Sequence, residues 1–531
     1  MNFAGLLRSA NLWAPPSVIY TNVRIMCPQR RVLALVLALA SHPVAASGPQ
    51  GAASSTARDA AAAPSDAAAA PSVVPAAPSD AAAAPSAVPG TPSAVPGTPS
   101  AVSSDPAAPA RYSDAWLEAQ LRDLHTRYPR LTRLVELGKS HEGRPLRALV
   151  IGRKLKRRDP RPAVLLNGAH HGVEVLSIDM VMDAIEVLLL RSGGKRDRTG
   201  KLTESELAAH AKEPVLRRDP ELDRRVKRWL DELVVWCVPT VNPDGVWATL
   251  NGHPRTGRKN GRDTDQNGRI DAMDGVDLNR NYPFRWGALG EVGSSSKPQS
   301  FYYRGPEPGS EPETRAMMRL AESEHFVASI SYHTGTVAVL SPYTIDNVKD
   351  SAPNEAWLVG EHVVAGLPPH PQGKPFVLKR KLYSVDGTDQ DYYRFRFGTL
   401  AYLVEAARRD AKDEAERYAI VHTVRPSWMR LFDRYLDGPT LSGRVIDASG
   451  HPVAAVVSIA EHQTFEGEAW QSRCRDGRFD RFVPAPGRYT LRVQAPGAST
   501  VEQVVEVTQR RTVVEVRIPT VVDKTTCASA P

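Results

Sequence analysis

The segment Asn167-Gly-Ala-His-His-Gly-Val-Glu174 follows a short apolar run, residues 163–166, and precedes an amphipathic stretch over residues 175–190. This pattern predicts a buried strand, a glycine-containing turn and a helix. A His and a Glu then meet at the carboxyl end of a strand, which is where open α/β sheets bind ligands. Imidazole and carboxylate are natural ligands of a catalytic Zn²⁺, which keeps one position open. We therefore predict His171 and Glu174 as zinc ligands, with the adjacent His170 as the alternative to His171.

Two later strands, over residues 326–332 and 400–404, are followed directly by His333 and Glu405. His333 would complete a His/Glu/His set with one open position. A carboxylate after five apolar residues is costly to bury unless it is paired. Glu405 is therefore either a general base beside a metal-bound water or the ion-pair partner of a following arginine.

A pair of adjacent polar side chains points to substrate binding. The run Val276-Asp-Leu-Asn-Arg-Asn281 places the amide of Asn279 beside the guanidinium of Arg280. Because Arg binds carboxylates bidentately, we expect this pair to hold the free terminal carboxylate of a peptide. Arg258 is expected to polarise the scissile carbonyl and stabilise an oxyanion. Tyr383, in a glycine-containing segment, is expected to close over substrate as a lid.

The order and spacing of these motifs resemble those of the zinc metallocarboxypeptidases over residues 112–437. The motifs that carry the resemblance are His171-x-x-Glu174, Asn242-Pro-Asp-Gly245, Arg258, Asp277-Leu-Asn-Arg-Asn281, Ser310-Glu-x-Glu313, His333, Tyr383 and Glu405. The resemblance implies one zinc ion on His171, Glu174 and His333, and it selects His171 over the adjacent His170.

The same resemblance implies a role for each remaining site residue. Glu405 would be the general base and Arg258 the oxyanion partner. The substrate-binding residues would be Asn279, Arg280, Tyr383 and Gln390.

Several features resemble the regulatory branch of that family, including a C-terminal β-sandwich similar to its transthyretin-like domain. Its Gly443-Arg-Val and Pro486-Gly-Arg-Tyr-Thr-Leu-Arg-Val runs carry that likeness. The branch has an acidic residue, which selects a terminal Lys or Arg, where Thr344 stands here. Asp346 and Asp389 are candidates to replace that acid. The preferred terminal residue, basic or apolar, therefore stays open.

An inserted segment, Asp263-Thr-Asp-Gln-Asn-Gly-Arg-Ile-Asp-Ala-Met-Asp274, has the oxygen spacing of an EF-hand calcium loop. Asp replaces the usual final Glu. We predict Ca²⁺ binding by five side chains and the carbonyl of Arg269, the full set being Asp263, Asp265, Asn267, Arg269, Asp271 and Asp274. The alternative is a polar, turn-rich loop without an ion.

Composition divides the 531 residues into five parts. Residues 1–47 contain an extension and a secretory signal that starts at Met26, with two arginines, an apolar run and a small-residue cleavage site. Residues 48–110, rich in Ala, Pro and Ser, predict a disordered linker. Residues 111–437 would form the catalytic domain, 438–520 the sandwich and 521–531 a tail. We expect a secreted or periplasmic protein.

Alternating helical and apolar strand patterns predict an α/β fold, with a mixed, mostly parallel sheet and helices on both faces, followed by a small all-β sandwich. Despite a net charge of +8, no basic or aromatic–basic pattern predicts nucleic-acid binding. The signal's apolar run is too short for a transmembrane anchor. We expect a monomer. Cys237 is predicted to be a buried free thiol, whereas Cys474 and Cys527 either pair or stay free.

These features predict a secreted zinc carboxypeptidase that removes one residue from peptide or protein C-termini by a zinc-activated water. A second hypothesis keeps this chemistry but assigns cell-wall peptides or γ-linked glutamate as substrate. A third is a non-catalytic binding protein on the same fold. The retention of all three ligands and of Glu405 favours an enzyme.

Overall fold

The computed structural model describes residues 109–193, 219–465 and 467–522. These residues all lie in one compact unit, Gly97–Pro531. The predicted secretory signal and nearly all of the predicted linker and tail lie outside the described residues. The predicted domain boundaries stay a prediction.

The first and larger part of the described chain alternates helices with strands. Its helices are α1 Asp114–Arg127, α2 Leu176–Arg191, α3 Pro220–Glu232, α4 Pro243–Leu250, α5 Pro312–Glu324, α6 Glu355–Val364, α7 Asp389–Phe397 and α8 Glu414–Asp437. Its strands are β1 Thr132–Lys139, β2 Pro145–Ile151, β3 Ala163–Gly168, β4 Val234–Val238, β5 Ala328–His333, β6 Val337–Leu340, β7 Leu378–Lys379 and β8 Leu400–Ala406. A short 3₁₀ turn covers Leu278–Arg280.

Local sequence fixes where these helices begin. Asp219 accepts hydrogen bonds from two backbone amides of the first turn of α3, and Pro220 follows it at the first helical position. Asn242 caps α4 by accepting from the amide of Gly245, and Pro243 again opens the helix. A polar cap followed by proline satisfies free amides and supplies the helical φ, so the chain leaves β4 and turns at once into α4.

The eight strands form one sheet in the order β1-β2-β4-β3-β5-β8-β6-β7. The central neighbours β4, β3, β5 and β8 run parallel. The pairs β1–β2, β2–β4 and β6–β8 are antiparallel, and the edge strand β7 lies parallel to β6. The predicted mixed α/β sheet is therefore confirmed. Because β3, β5 and β8 are parallel, their carboxyl ends meet at one edge of the sheet.

Helices cover both faces of this sheet. Alternate residues of β3 enter two separate clusters: Val164 and Leu166 pack with the apolar side chains of α2, whereas Leu165 packs with Met317 of α5. This alternation follows from the two-residue period of a strand. None of the helices in the described ranges combines the length and apolarity that crossing a membrane requires.

The second part is a sandwich of two three-stranded sheets, ordered β10-β12-β13 and β11-β9-β14, around its own apolar cluster. The strands are β9 Thr440–Ile446, β10 Val456–Ile459, β11 Arg478–Phe482, β12 Gly487–Gln494, β13 Val501–Val507 and β14 Arg511–Arg517. The predicted all-β sandwich is confirmed.

The sandwich packs firmly on the α/β part. Phe482 joins the cluster beneath α2 and α8, and Trp470 lies 4.3 Å from the guanidinium of Arg394 in α7. The buried Arg478 donates 2.8 and 2.6 Å hydrogen bonds to the carbonyls of Glu324 and His325 at the end of α5. Aromatic burial and charge-assisted hydrogen bonds join the two parts.

The cysteines follow the predictions where the structure describes them. Cys237 is a buried free thiol in β4. Cys474 takes part in a disulfide, while its predicted partner Cys527 lies outside the described residues.

Candidate metal centre

The predicted ligand segment lies where β3 ends and α2 begins. Gly172 passes so close to α4 that a Cβ there would lie 2.0 Å from the carbonyl carbon of Gly245. Only glycine allows this approach, which fixes the turn that carries His171 and Glu174. His333 ends β5, whose register pairs it with Glu405 of the neighbouring β8.

The three predicted ligands converge in the described structure. His171 Nδ1 lies 2.7 Å from Glu174 Oε1, and His333 Nδ1 lies 3.0 Å from Glu174 Oε2. All three side chains are buried, and one ligand atom from each lies within 4.8 Å of the other two.

Two imidazole nitrogens and a carboxylate form the donor set of a catalytic zinc site. His333 Nε2 and Glu405 Oε2 are buried atoms that have no hydrogen-bond partner in the described residues. A polar, incompletely satisfied cluster of this kind fits a bound zinc ion.

His170 takes a different place, although it adjoins His171. Its Nε2 lies 3.1 Å from the hydroxyl of Tyr282, and its Nδ1 lies 3.3 Å from Ser331 Oγ. His170 therefore belongs to a hydrogen-bonded layer beneath the metal ligands, which agrees with the choice of His171.

Asp277 links the metal ligands to Arg258, and the sequence interpretation assigned it no role of its own. Its Oδ1 lies 3.1 Å from His171 Nε2, and its Oδ2 accepts from Arg258 Nε at 2.9 Å and Nη2 at 2.6 Å. Burial alone would raise the pKa of Asp277, but Arg258 and His171 hold this pKa well below its usual range. The signal that could have found it is a carboxylate two residues before Asn279.

Arg258 and Glu405 border the ligand cluster. Arg258 Nη1 lies 3.2 Å from His171 Nδ1. Burial raises the pKa of Glu405, and the charge of Glu174 raises it further, whereas Arg258 lowers it. A carboxyl group with a raised pKa is better suited to accept a proton near neutral pH.

The structure brings Arg280 and Tyr383 together. Arg280 Nη2 donates to the Tyr383 hydroxyl at 2.9 Å, while its Nη1 and Nε donate to the carbonyls of Asn279 and Gly293 at 2.7 and 2.9 Å. Tyr383 is 48% exposed. Arg280 is thus held in place by two carbonyls while its third nitrogen contacts an exposed side chain.

The first turn of α7 lies against this pair. The amide of Asp389 donates to Asn279 Oδ1 at 2.9 Å. Asp389 Oδ1 and Gln390 Oε1 are buried and have no partner in the described residues. Both atoms lie within one residue of the amide that contacts Asn279.

Thr344, which stands where an acidic residue was expected, contacts an acidic residue. Thr344 donates to Asp391 from both its amide, at 2.9 Å, and its hydroxyl, at 2.9 Å. Asp391 is almost fully buried. Of the two proposed substitutes for the missing acid, Asp346 is exposed and paired with Lys381, and Asp389 is buried.

Only some of the predicted calcium ligands lie close together. Carboxylate oxygens of Asp263, Asp265 and Asp274 lie within 4.8 Å of one another. Asp271 instead accepts from the amide of Met273 at 2.9 Å, Asn267 donates to Asp265 at 2.8 Å, and Arg269 is exposed.

A second cluster, which the sequence indicated only as Ser310-Glu-x-Glu313, joins His141, Glu311 and Glu313. His141 Nε2 lies 2.7 Å from Glu311, and Asn260 Nδ2 donates to both glutamates at 2.8 and 3.1 Å. Because these carboxylates are already hydrogen-bonded, we interpret the cluster as structural.

Residues 117–419 match a family model described as "Zinc carboxypeptidase", and residues 440–519 match one described as "Carboxypeptidase regulatory-like domain". "Metallocarboxypeptidase A" of Trichophyton tonsurans is 31% identical over 230 residues, which cover 42% of this chain and 45% of that relative. "Carboxypeptidase B" of Astacus astacus is 29% identical over 202 residues, covering 38% and 52%. The chain spans about half the length of these curated relatives.

Among solved structures, the carboxypeptidase A from Helicoverpa armigera is 20% identical, with a TM-score of 0.47. The match covers 60% of this chain and 71% of that one.

We predict that Asp277→Asn weakens zinc binding by roughly 10- to 100-fold. The reason is that an amide orients His171 less firmly than a carboxylate that accepts the hydrogen bond from its Nε2. Competition with a chromophoric chelator would measure the affinity. The exposed Asp346→Asn is the control and should bind zinc like the wild type. An unchanged affinity in Asp277→Asn would show that His171 does not depend on this contact.

We predict a pH dependence of stability that comes from Asp391. Burial raises the pKa of Asp391 to about 7, and the charge of Asp389 adds to this rise. The hydrogen bonds from Thr344 and the charge of Arg380 act in the opposite direction and lower the pKa. Between the unfolded pKa of about 3.9 and this value, the native state binds more protons, so stability falls as pH rises.

Asp391→Asn should therefore flatten the dependence of unfolding free energy on pH between about pH 4 and pH 7, by up to about 1.4 kcal/mol per pH unit. Urea unfolding at several pH values would measure it, with the exposed Asp410→Asn as control. A slope equal to that of the wild type would assign the titration to another group.

Proposed function

The chain belongs to the zinc carboxypeptidase family, and on that premise we propose that it removes single residues from the C-termini of peptides and proteins. The match also confirms the predicted regulatory-like second domain. The observation that carries the proposal is the convergence of His171, Glu174 and His333 beside Arg258 and Glu405.

His171, Glu174 and His333 would hold one zinc ion per chain. When bound there, zinc polarises a carbonyl and lowers the pKa of a water molecule. Asp277 orients His171 through Nε2, which fixes the nitrogen that faces the ion.

Glu405 performs the proton transfers. Its unpartnered Oε2 accepts a proton from the attacking water and then donates it to the leaving amine. Arg258, anchored by Asp277 through Nε and Nη2, directs Nη1 toward the oxygen of the scissile carbonyl and stabilises its negative charge. Because Asp277 holds the guanidinium beforehand, little reorganisation is required at the moment of reaction.

The requirement for a free C-terminus follows from Arg280 and Asn279. The substrate carboxylate replaces the Tyr383 hydroxyl on Arg280 Nη2, since a charged acceptor forms the stronger hydrogen bond. Tyr383 is then free to cover the bound residue.

The terminal residue that we propose carries a hydrogen-bond donor, as Lys and Arg do. Asp389 Oδ1 and Gln390 Oε1 are buried acceptors without partners, and α7 contacts the clamp through Asn279. Buried acceptors are unfavourable unless they are satisfied, so they favour a donor in the substrate. Thr344 does not contribute an acid here, because its side chain is a hydroxyl, and this hydroxyl donates to Asp391.

We also propose that the protein is exported to the periplasm or the medium. The support is the pattern of Arg30, Arg31 and the apolar run after them, which lies outside the described residues. Its partners would be peptide and protein C-termini, without nucleic acid, and it would act as a monomer.

Calcium binding by residues 263–274 stays a prediction that the sequence spacing carries. If Ca²⁺ binds, its addition to the zinc-loaded protein should raise the midpoint of thermal unfolding by mass action. Asp263→Asn should abolish that rise, whereas the exposed Asp350→Asn should not. No response of the wild-type midpoint to calcium would remove this prediction.

A C-terminal release assay tests the proposed function. Purified protein would meet a peptide library varied at its last position, with and without a zinc chelator. We predict chelator-sensitive release, which Glu405→Gln lowers by a factor of about 10² to 10⁴ in kcat because the proton acceptor is lost. Zinc content should be retained in the variant, and the exposed Glu502→Gln should be fully active.

The outcomes separate the hypotheses. Release of Lys and Arg would support the proposed pocket, and release of apolar residues would contradict it. An absence of release from every peptide, with zinc bound, would contradict the proposed function and favour a cell-wall peptide or γ-linked glutamate as substrate, or a binding role. Peptides with an amidated C-terminus should resist, because they lack the carboxylate.

A further inference from the structure

Two exposed aromatic side chains lie beside the guanidinium groups of the proposed site. Phe301 and Tyr302 are 46% and 43% exposed, and their rings meet edge to face at 5.4 Å. The large aromatic side chains that are this exposed in the described residues are Trp247, Phe301, Tyr302, Tyr383 and Tyr418. Three of the five therefore gather around Arg258 and Arg280, which scattered surface aromatics do not explain.

The two rings contact different guanidinium groups. The Cζ atom of Arg258 lies 5.2 Å from the ring centroids of both Phe301 and Tyr302. The Cζ atom of Arg280 lies 5.7 Å from the ring of Tyr302. Tyr302 thus spans both arginines, whereas Phe301 contacts only Arg258.

This pattern orders the rings along a bound peptide. Arg280 would hold the terminal carboxylate and Arg258 the scissile carbonyl, so Tyr302 lies beside the terminal residue. The scissile carbonyl belongs to the preceding residue. Phe301, next to Arg258 and away from Arg280, therefore lies beside the side chain that precedes the scissile bond.

The loop that carries the rings is held firmly. Lys259, which follows Arg258 in sequence, is 1% exposed, and its ammonium group donates to the carbonyls of Pro298 and Ser300 at 2.9 and 3.2 Å. The carbonyl of Tyr303 accepts from the amide of Asp277 at 2.8 Å. The aromatic loop is thus tied directly to the segments that carry Arg258 and the clamp.

A rigid support makes partial exposure informative. Rings whose function was to stabilise the fold would gain by complete burial, because the gain in free energy grows with the apolar area removed from water. Phe301 leaves almost half of its surface to solvent next to Arg258, a charged group that a peptide would cover. A bound apolar side chain would remove that area from water and pack against the ring.

We propose that Phe301, supported by Tyr302, forms the wall of the subsite for the residue that precedes the scissile bond and favours peptides with a large apolar or aromatic penultimate residue. This inference rests on the proposed carboxypeptidase function.

The test uses two N-blocked tripeptides that share the terminal residue preferred in the library assay and carry Phe or Gly at the penultimate position. For the full chain, kcat and KM are measured with each. We expect the wild type to favour the Phe peptide in kcat/KM. Phe301→Ala should lower this preference roughly fivefold, because the ring contact is lost. Phe301→Leu keeps much of the apolar area, so its preference for the Phe peptide should lie between those of the wild type and Phe301→Ala.

Val292→Ala is the matched control, since Val292 is an apolar side chain that is 79% exposed in the preceding segment. It should keep the wild-type preference. Thermal unfolding of each variant would verify that it is folded, and Phe301→Leu keeps the test available should Phe301→Ala unfold.

Two results would overturn the inference while leaving the proposed function intact. One is release from both peptides by Phe301→Ala at the wild-type kcat/KM, which would mean that the ring does not contact the substrate. The other is an equal loss on both peptides, which would mean that the ring only supports Arg258. If the wild type releases no residue from either of the two peptides, the proposed function is refuted, and this inference with it.

Discussion

The buried carboxylate of Asp277 joins the parts of the site that must act together. One oxygen faces His171 Nε2, and the other accepts two hydrogen bonds from Arg258. Asp277 itself is fully buried, so each of these charged contacts is strengthened by a low local dielectric. An unpaired buried carboxylate would be costly, and the fold therefore depends on His171 and Arg258 being present as much as they depend on Asp277.

The same residue also contacts the backbone of two further residues. Its amide donates to the carbonyl of Tyr303, and its Oδ1 accepts from the amide of Asn279. The aromatic loop and the 3₁₀ turn that carries Arg280 are therefore positioned relative to one carboxylate. A displacement of Asp277 would therefore move the metal ligand, the oxyanion partner and the clamp together. Shared contacts of this kind hold the loop residues of the site in a defined geometry.

Strands provide the remaining reference points. The register of β5 and β8 pairs His333 with Glu405, and β3 delivers the turn that carries His171 and Glu174. The sheet is covered by helices on both faces and by the sandwich at Phe482 and Trp470. A close-packed core resists small shifts of the strands. The scaffold therefore fixes the relative positions of the metal ligands and the base.

The sequence by itself determined the elements whose signals are local. A strand, a glycine turn and a helix could be predicted around His171 and Glu174 because the apolar periodicity and the i,i+3 spacing lie within a few residues. The fold class, the sandwich and the ends of β5 and β8 followed in the same way, while the order of the motifs along residues 112–437 carried the resemblance to the family. Only the tertiary structure decided the role of Asp277, which meets His171 across 106 residues of chain. It likewise paired Thr344 with Asp391 and placed Phe301 over Arg258. These contacts join segments far apart in sequence, and their distances depend on how loops pack against a completed sheet, which no local pattern encodes.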